Sequence, residues 1–580
     1  MLTVSGTNII SSLGFSTSEN FDNIIAGKSG LKRYGAEFFD LSEPFVASLI
    51  DRERLNVEFA ACCDVMRSAG TAITDLEKAA ILSVYYANRE AKVDLASAKT
   101  VFVISTTKGN VDLLRDVCTM CELPVQAYLW HSAKIISEFF GNPNTPVAVS
   151  NACISGGAAQ IAAMRQLESN DFDFAVVVGV DFLSQFIISG FQSFKALSQD
   201  VCRPFDSLRD GLNLGEAAAT MIFSRPHSAF AKYGLLYGAI RNDANHISAP
   251  SRTGEGSFRA LNAVINHQAS FNKAEIAFIN AHGTATPYND SMEMIAIERA
   301  GLQKVPTNSL KQYLGHTLGA AGVVESIISL KALEQGVVLP MLNVKNLSET
   351  CKINISQKLQ TTDKQYFIKM LSGFGGVNVA LLFGKAPQNI TQKKKQSNPL
   401  SCSESFFIKK QINLAFNNSS EITDLYRSLS VDYPKFFKMD NLSKMGFVAS
   451  EMIFEGEKQR FVPREDFAVI GFNRSSSLDV DVQYQNTIRK GEHYFPSPSL
   501  FVYTLPNIVA GEIAIRNNFF GETAFYVFQT FDTEQIKRIL NSAFADKRIN
   551  EALAVWVEAF EIKMQWLVVN ELRNEGMKYS

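Results

Sequence analysis

Short apolar runs alternate along the chain with longer amphipathic stretches, the pattern of strands and helices taken in turn. Runs at Leu2 to Ser5, Thr100 to Ser105, Thr145 to Val149 and Phe174 to Gly179 have strand length and β-branched content. Between them, Asp75 to Arg89 mixes charged and apolar residues in helical fashion, and Gly157 to Leu167 is an alanine-rich helical run. Strands alternating with helices predict an α/β protein with parallel or mixed sheets. No apolar run approaches the roughly 20 residues of a membrane span. Met1-Leu-Thr-Val leads directly into a strand without a cationic segment or cleavage site, so no secretory leader is expected.

The corners between elements carry the candidate chemistry. Val149-Ser-Asn-Ala-Cys-Ile-Ser-Gly-Gly157 joins a strand to the alanine-rich helix and places Cys153 at the bend. A helix N-terminus offers unpaired N–H groups and partial positive charge, which favour a thiolate nucleophile. Taken alone, the corner favours the commoner fate of a free cysteine, a buried structural thiol, over a nucleophile. Ile276 to Ala281 is a strand that ends at His282-Gly-Thr-Ala-Thr286, and His316 precedes a small-residue helix start with Lys311 five residues upstream. Active-site groups cluster at such strand and helix ends. Leu371-Ser-Gly-Phe-Gly-Gly-Val-Asn378 surrounds Phe374 with glycines, which lets a backbone N–H approach a substrate closely.

Composition narrows the choices. At 580 residues the chain needs two or three domains. A formal net charge of −2 gives no reason to expect nucleic acid as a partner. The 8 cysteines show no metal-ligand spacing; Cys118-x-x-Cys121 is an isolated pair, so no metal is expected. Free cysteines suit a reducing cytoplasm. Residues 386–402 are polar and cationic with no apolar period, which marks a linker between a unit at 1–385 and a second at 403–580.

These motifs together resemble the condensing enzymes, specifically the elongating Cys-His-His β-ketoacyl-acyl-carrier-protein synthases of the thiolase superfamily. The likeness rests on the Cys153 corner, Arg203-Pro-Phe-Asp206 through Glu216, and His282-Gly-Thr-Ala-Thr286 with Asn289, Asp290 and Glu293. Lys311-x4-His316 with Gly-Ala-Ala-Gly and Glu325, and then Gly373-Phe-Gly-Gly376, complete it. Thiolases carry a second cysteine where this chain has Phe374, and priming synthases carry Asn where it has His316. The resemblance implies a thiolase-like five-layer αβαβα fold and a homodimer, or a heterodimer with another ketosynthase-like chain. It implies decarboxylative condensation of an acyl thioester on Cys153 with a malonyl thioester, in fatty-acid, polyketide or aryl-polyene-type biosynthesis. Acyl carrier protein is the implied partner. Its phosphopantetheine arm, met by Thr284, Thr286, Gly375 and Gly376, leaves the enzyme with no cofactor of its own. His282 and His316 would donate to the enolate oxygen, the N–H groups of Cys153 and Phe374 would form the oxyanion hole, and Lys311 with Glu325 would balance charge. Val377 replaces the family's usual Thr and Met370-Leu371-Ser372 its Asn-Ser-Phe, both near the gate of the acyl tunnel. The other readings are a loading acyltransferase or decarboxylase that does not elongate, and an inactive scaffold.

The C-terminal part resembles the first. Ile515-Arg-Asn-Asn-Phe-Phe-Gly521 echoes Ile135-Ile-Ser-Glu-Phe-Phe-Gly141, and Ala554 to Val557 echoes Ala175 to Val178. That match sets Asp532 or Thr533 opposite Cys153, and no cysteine follows Cys402. A second, incomplete thiolase-like half-domain is therefore expected, catalytically silent and similar to the chain-length-factor partners of pigment and polyketide synthases.

Overall fold

The computed structural model describes residues 2–66, 73–225, 233–347, 351–385, 406–489, 494–544 and 548–569. The expected linker at 386–402 lies outside the described residues. The main sheet takes β1 (Leu2–Ser11), β2 (Thr100–Ser105), β3 (Val147–Val149), β4 (Phe174–Asp181) and β5 (Ala217–Ser224) from the first part of the chain. The next group is β6 (Tyr233–Asn242), β7 (Ile276–Asn280), β8 (Thr307–Asn308), β9 (Tyr366–Gly373) and β10 (Val377–Lys385). The last is β11 (Phe406–Ala415), β12 (Phe467–Asn473), β13 (Thr523–Val527), β14 (Glu551–Glu558) and β15 (Glu561–Val569).

Each group of five has one topology. Its first strand pairs antiparallel with its last, followed by the fourth, second and third, giving β1-β5-β4-β2-β3, β6-β10-β9-β7-β8 and β11-β15-β14-β12-β13. The protein is thus built from one motif used three times, and the resemblance read from the C-terminal sequence is carried by its strands.

Helices layer these sheets. Those that frame the site are α1 (Asp75–Ala91), α2 (Leu129–Phe139), α3 (Ser155–Glu168), α4 (Gln185–Ser193), α5 (Glu255–Ile265), α6 (Pro287–Arg299) and α7 (Ala321–Glu334). The C-terminal unit adds α8 (Asn441–Ile453), α9 (Leu478–Thr487), α10 (Pro498–Tyr503), α11 (Ile508–Asn517) and α12 (Thr533–Phe544). A Thr74–Glu77 capping box starts α1, which covers β1, β4 and β5. Helix α5 covers β6, β9 and β10, and between the sheets lie α3 and α7, each touching strands of both. The order is helix, sheet, helix, sheet, helix, the expected thiolase-like five layers. Because α3 and α7 are buried nearly all round, neither shows an amphipathic stripe. Glycine lets them touch backbone to backbone: a Cβ on Gly322 would sit 2.4 Å from the Gly157 nitrogen.

The C-terminal unit completes the sheet instead of forming a separate body. Strands β3 and β13 pair antiparallel, Val149 with Tyr526 and Ala148 with Val527. The strand order on one side of this pair mirrors the other, so the two units are related by an approximate two-fold axis. Two buried ion pairs cross the seam. Arg165 on α3 meets Glu522 bidentately at 2.8 and 2.6 Å, and Lys108 meets Asp481 at 2.6 Å.

Candidate active site

Strand β3 delivers the chain to a tight bend in which Ala152 adopts φ 49°, and α3 begins two residues after Cys153. The Ser155 hydroxyl ties the bend by accepting from the Asn151 N–H at 2.7 Å and donating to the Ala152 carbonyl at 2.6 Å. Burial pushes the Cys153 thiol up to about 12, against the pull of Lys311; Asp181 adds to the rise and the residue's own N–H opposes it. The helix-terminus expectation of a thiolate is therefore overridden by desolvation, and the resting group is a thiol.

Cys153, His282, His316 and Phe374 line one cavity of about 430 Å³. Strand β7 ends two residues before His282, whose backbone N–H and that of Gly283 both donate to the buried Glu293 carboxylate at 2.7 Å. The His282 and His316 rings stand edge to face with centroids 5.0 Å apart. Desolvation holds both imidazoles well below their ordinary 6.5; Lys311 and Lys369 press on both, and His316 presses on His282. Both are neutral at physiological pH. Among the described residues the buried His316 nitrogens Nδ1 and Nε2 and the His282 Nδ1 find no partner, so this wall keeps free hydrogen-bonding capacity.

Glu325 on α7 sits between two lysines. Its Oε1 accepts from Lys311 Nζ at 2.9 Å and its Oε2 from Lys369 Nζ, which also donates to the Ala281 carbonyl at 3.2 Å. Burial raises the Glu325 carboxyl, but the two lysines win and hold it below its usual range. Lys369 itself is lowered to about 8, chiefly by burial.

Thr284 and Thr286 share a 2.9 Å hydroxyl contact and line the cavity mouth with Tyr288. Gly376 lines the cavity; Gly375 does not, its N–H donating to the Ile247 carbonyl at 2.6 Å and its carbonyl accepting from Asn242 at 2.9 Å. Asp290 on α6 lies behind the wall. It accepts from the Phe205 N–H at 2.8 Å, and burial raises it to about 7. The Arg203–Glu216 segment is thus a buttress: Asp206 caps the N–H groups of Lys345 and Asn346, and Glu216 holds those of Ile50 and Leu183.

Four site residues escaped the sequence reading. Lys369 and Asp181 stand as lone charges in apolar strands. Asp181 accepts from both Thr106 and Thr107 hydroxyls and the Gly319 N–H, at 2.7 to 3.0 Å, which fixes the floor under the bend. Asp243 follows β6 and ties Ser251 and Gly256 N–H groups beside the cavity. Lys108 lines the cavity while its ammonium reaches Asp481, Ser477 and the Thr504 carbonyl of the C-terminal unit. That unit itself supplies part of the wall, through Phe501, Thr504 and Leu505. Phe501 lies 5.7 Å from Phe191 and 6.1 Å from Phe194, and Phe194 lies 5.7 Å from Phe374.

The C-terminal unit carries no matching nucleophile. Lys99 and Asp466 each accept two N–H groups at the edge of the fourth strand of their motif, which aligns β2 with β12. Val149 then corresponds to Tyr526, and Cys153 to Thr530. The sequence match to Asp532 or Thr533 is displaced because it equates the two Phe-Phe-Gly segments. The left-handed residues that end α2 and α11, Gly141 and Asn518, are the true counterparts.

Residues 3–229 match the family described as "Beta-ketoacyl synthase, N-terminal domain", and residues 234–345 match "Beta-ketoacyl synthase, C-terminal domain". The chain belongs to the β-ketoacyl synthase family. Among curated relatives, 3-oxoacyl-[acyl-carrier-protein] synthase 2 of Vibrio harveyi is 33% identical over 256 residues, 41% of this chain and 61% of that protein. The enzyme of the same description from Mycobacterium leprae is 34% identical over 255 residues, 41% of this chain and 60% of its own. The chain thus spans about three-fifths of these relatives' length. The solved ishigamide ketosynthase/chain length factor covers 67% of this synthase-family chain, and 99% of its own, at 24% identity and TM-score 0.60. A PfaC keto synthase–chain length factor covers 98% of this chain, and 78% of its own, at 14% identity and TM-score 0.76. At these identities the likeness is one of fold, and it extends over the C-terminal unit as well.

Proposed function

We propose that the protein is a β-ketoacyl synthase that condenses an acyl group held on Cys153 with a malonyl-type thioester on acyl carrier protein. The observation that carries this reading is one cavity lined by a thiol, two neutral imidazoles and the Phe374 turn, backed by the Lys311–Glu325–Lys369 cluster. In the first half-reaction Cys153 Sγ attacks the acyl carbonyl carbon, its proton leaves to a neutral imidazole, and the bond to the carrier thiol breaks. The carrier leaves as a thiol with a proton regained from that imidazole. In the second, a malonyl thioester loses carbon dioxide, and the enolate carbon attacks the acyl-Cys153 carbon. The Cys153 thiolate is expelled and takes up a proton from solvent, which restores the resting thiol.

Both steps place negative charge on oxygen. Neutral His282 and His316 can donate N–H to the enolate, and the backbone N–H groups of Cys153 and Phe374 serve the tetrahedral oxyanion. Thr284 and Thr286 at the mouth suit the phosphopantetheine arm, which is the carrier's and not a resident cofactor. The second unit pairs with the first through β3 and β13, so in this reading one chain brings both halves of a ketosynthase-like pair, and its free cysteines suit work in a reducing cytoplasm. The test is intact-protein mass spectrometry with acyl carrier protein thioesters, with Cys153→Ala as control. Acylation of the wild type alone, followed by release of a β-ketoacyl product on adding malonyl carrier protein, is the expected result. No adduct at any chain length removes the proposal.

A further inference from the structure

The Phe374–Gly376 turn, which the condensing reading makes half of the oxyanion hole, is not held by its own unit alone. Asn242 donates to the Gly375 carbonyl at 2.9 Å, and Asn378 and the Asp243 N–H to that of Gly376 at 3.1 and 2.7 Å. The Phe374 carbonyl is met from across the seam, by the Asn507 side-chain amide at 2.8 Å. Asn507 stands at the N-cap position of α11, is fully buried, and makes no side-chain cap bond to that helix. One turn along, Gly511 brings α11 down onto the next residue of the turn: a Cβ there would stand 2.8 Å from the Gly375 carbonyl oxygen and 3.0 Å from its Cα. A Cβ on Gly375 would in turn stand 2.6 Å from the Asn507 amide nitrogen.

This support is needed because Gly375 and Gly376 adopt φ 91° and 72°, and two successive glycines do not define a turn by themselves. The turn also lies against the nucleophile: a Cβ on Gly373 would be 3.2 Å from the Cys153 nitrogen. The pseudo-symmetric place on the first unit shows no such device. The start of α2 carries Tyr128, Leu129 and Trp130, and the rings of Tyr128 and Trp130 receive Arg474 at 5.2 and 5.7 Å. Asn242 and Asn378 hold the Gly375 and Gly376 carbonyls from the first unit, and the Phe374 carbonyl takes its amide donor from the unit without a nucleophile.

We infer that Asn507 is a positioning residue for condensation, fixing from the C-terminal unit the peptide that follows the Phe374 N–H. This rests on the condensing reading above. The full 580-residue chain and its Asn507→Ala, Asn507→Asp and Gly511→Ala variants are compared in steady-state condensation, with melting temperature as a fold control. Asn507→Asp is isosteric and its carboxylate cannot donate, so it serves if the alanine variant fails to fold. Each variant is expected to lose about ten- to a hundredfold in kcat, the scale of a displaced catalytic group, with KM for the malonyl carrier unchanged. Folded variants with wild-type kcat, or with the loss confined to KM, overturn the role of Asn507. A wild type that never acylates Cys153 instead removes the condensing reading itself.

Discussion

At Cys153 two effects oppose each other: the helix start and Lys311 favour the thiolate, and burial favours the thiol. Burial prevails, up to about 12. The expected consequence is slow alkylation of Cys153 by iodoacetamide at pH 7.5 relative to the exposed Cys118, measured by peptide mapping. Equal or faster labelling contradicts it. The histidines follow the same physics with the opposite sign of charge. Burial penalises the imidazolium, so lowering the pH from 8 to 6 should leave His282 and His316 neutral and able to donate and accept as before. Long-range nitrogen NMR should show neutral rings at pH 6, and a titration midpoint near 6.5 for either contradicts the account. Sequence reading found these three residues because each sits at an element's end, the two histidines directly beside a glycine and Cys153 just before the Gly156-Gly157 pair. It missed Lys369 because a single charge within an apolar strand has no local signature. Only when β9 lies beside β7 does its ammonium meet Glu325 and the Ala281 carbonyl.

Between elements, the seam is held by a β3–β13 pair and by buried charges whose partners belong to different units. Arg165 and Glu522 satisfy one another bidentately, so removing either leaves an uncompensated buried charge or a stranded fork. Glu522→Gln should lower unfolding stability by roughly 3 to 5 kcal/mol in denaturant titration, the usual cost of breaking a buried pair. Replacing both residues by apolar ones of similar volume should restore much of that loss. If Glu522→Gln unfolds at the wild-type midpoint, the pair does not hold the seam. Element type was legible around the motifs of the first 385 residues, as at Asp75 to Arg89, Thr100 to Ser105, Gly157 to Leu167 and Phe174 to Gly179, because strand ends and glycine corners are local signals. The register of the C-terminal repeat was not. A Phe-Phe-Gly likeness aligned residues that the helix ends and strand pairing set three apart, since short apolar triplets recur without sharing a structural place.

Taken whole, the molecule is one five-stranded motif used three times, with two copies forming a complete thiolase-like unit and the third set against it across a two-fold. The free edge of β3 is thereby filled within one chain. Size-exclusion chromatography with light scattering should give a mass near 64.1 kDa, that of a single chain. A stable dimer would mean that another surface of the protein associates. The sequence expectation of a two-chain pair came from the family likeness; the C-terminal half was legible as a repeat, but its place against β3 depends on contacts between residues some 370 positions apart, such as Lys108 with Asp481. The central claim is that this chain carries an acyl group on Cys153 and extends it. Intact mass measurement of wild type and Cys153→Ala with acyl carrier protein thioesters tests it most directly. An adduct in the wild type alone, discharged as a β-ketoacyl product by malonyl carrier protein, is the predicted result; an adduct retained in Cys153→Ala, or none in either, contradicts it.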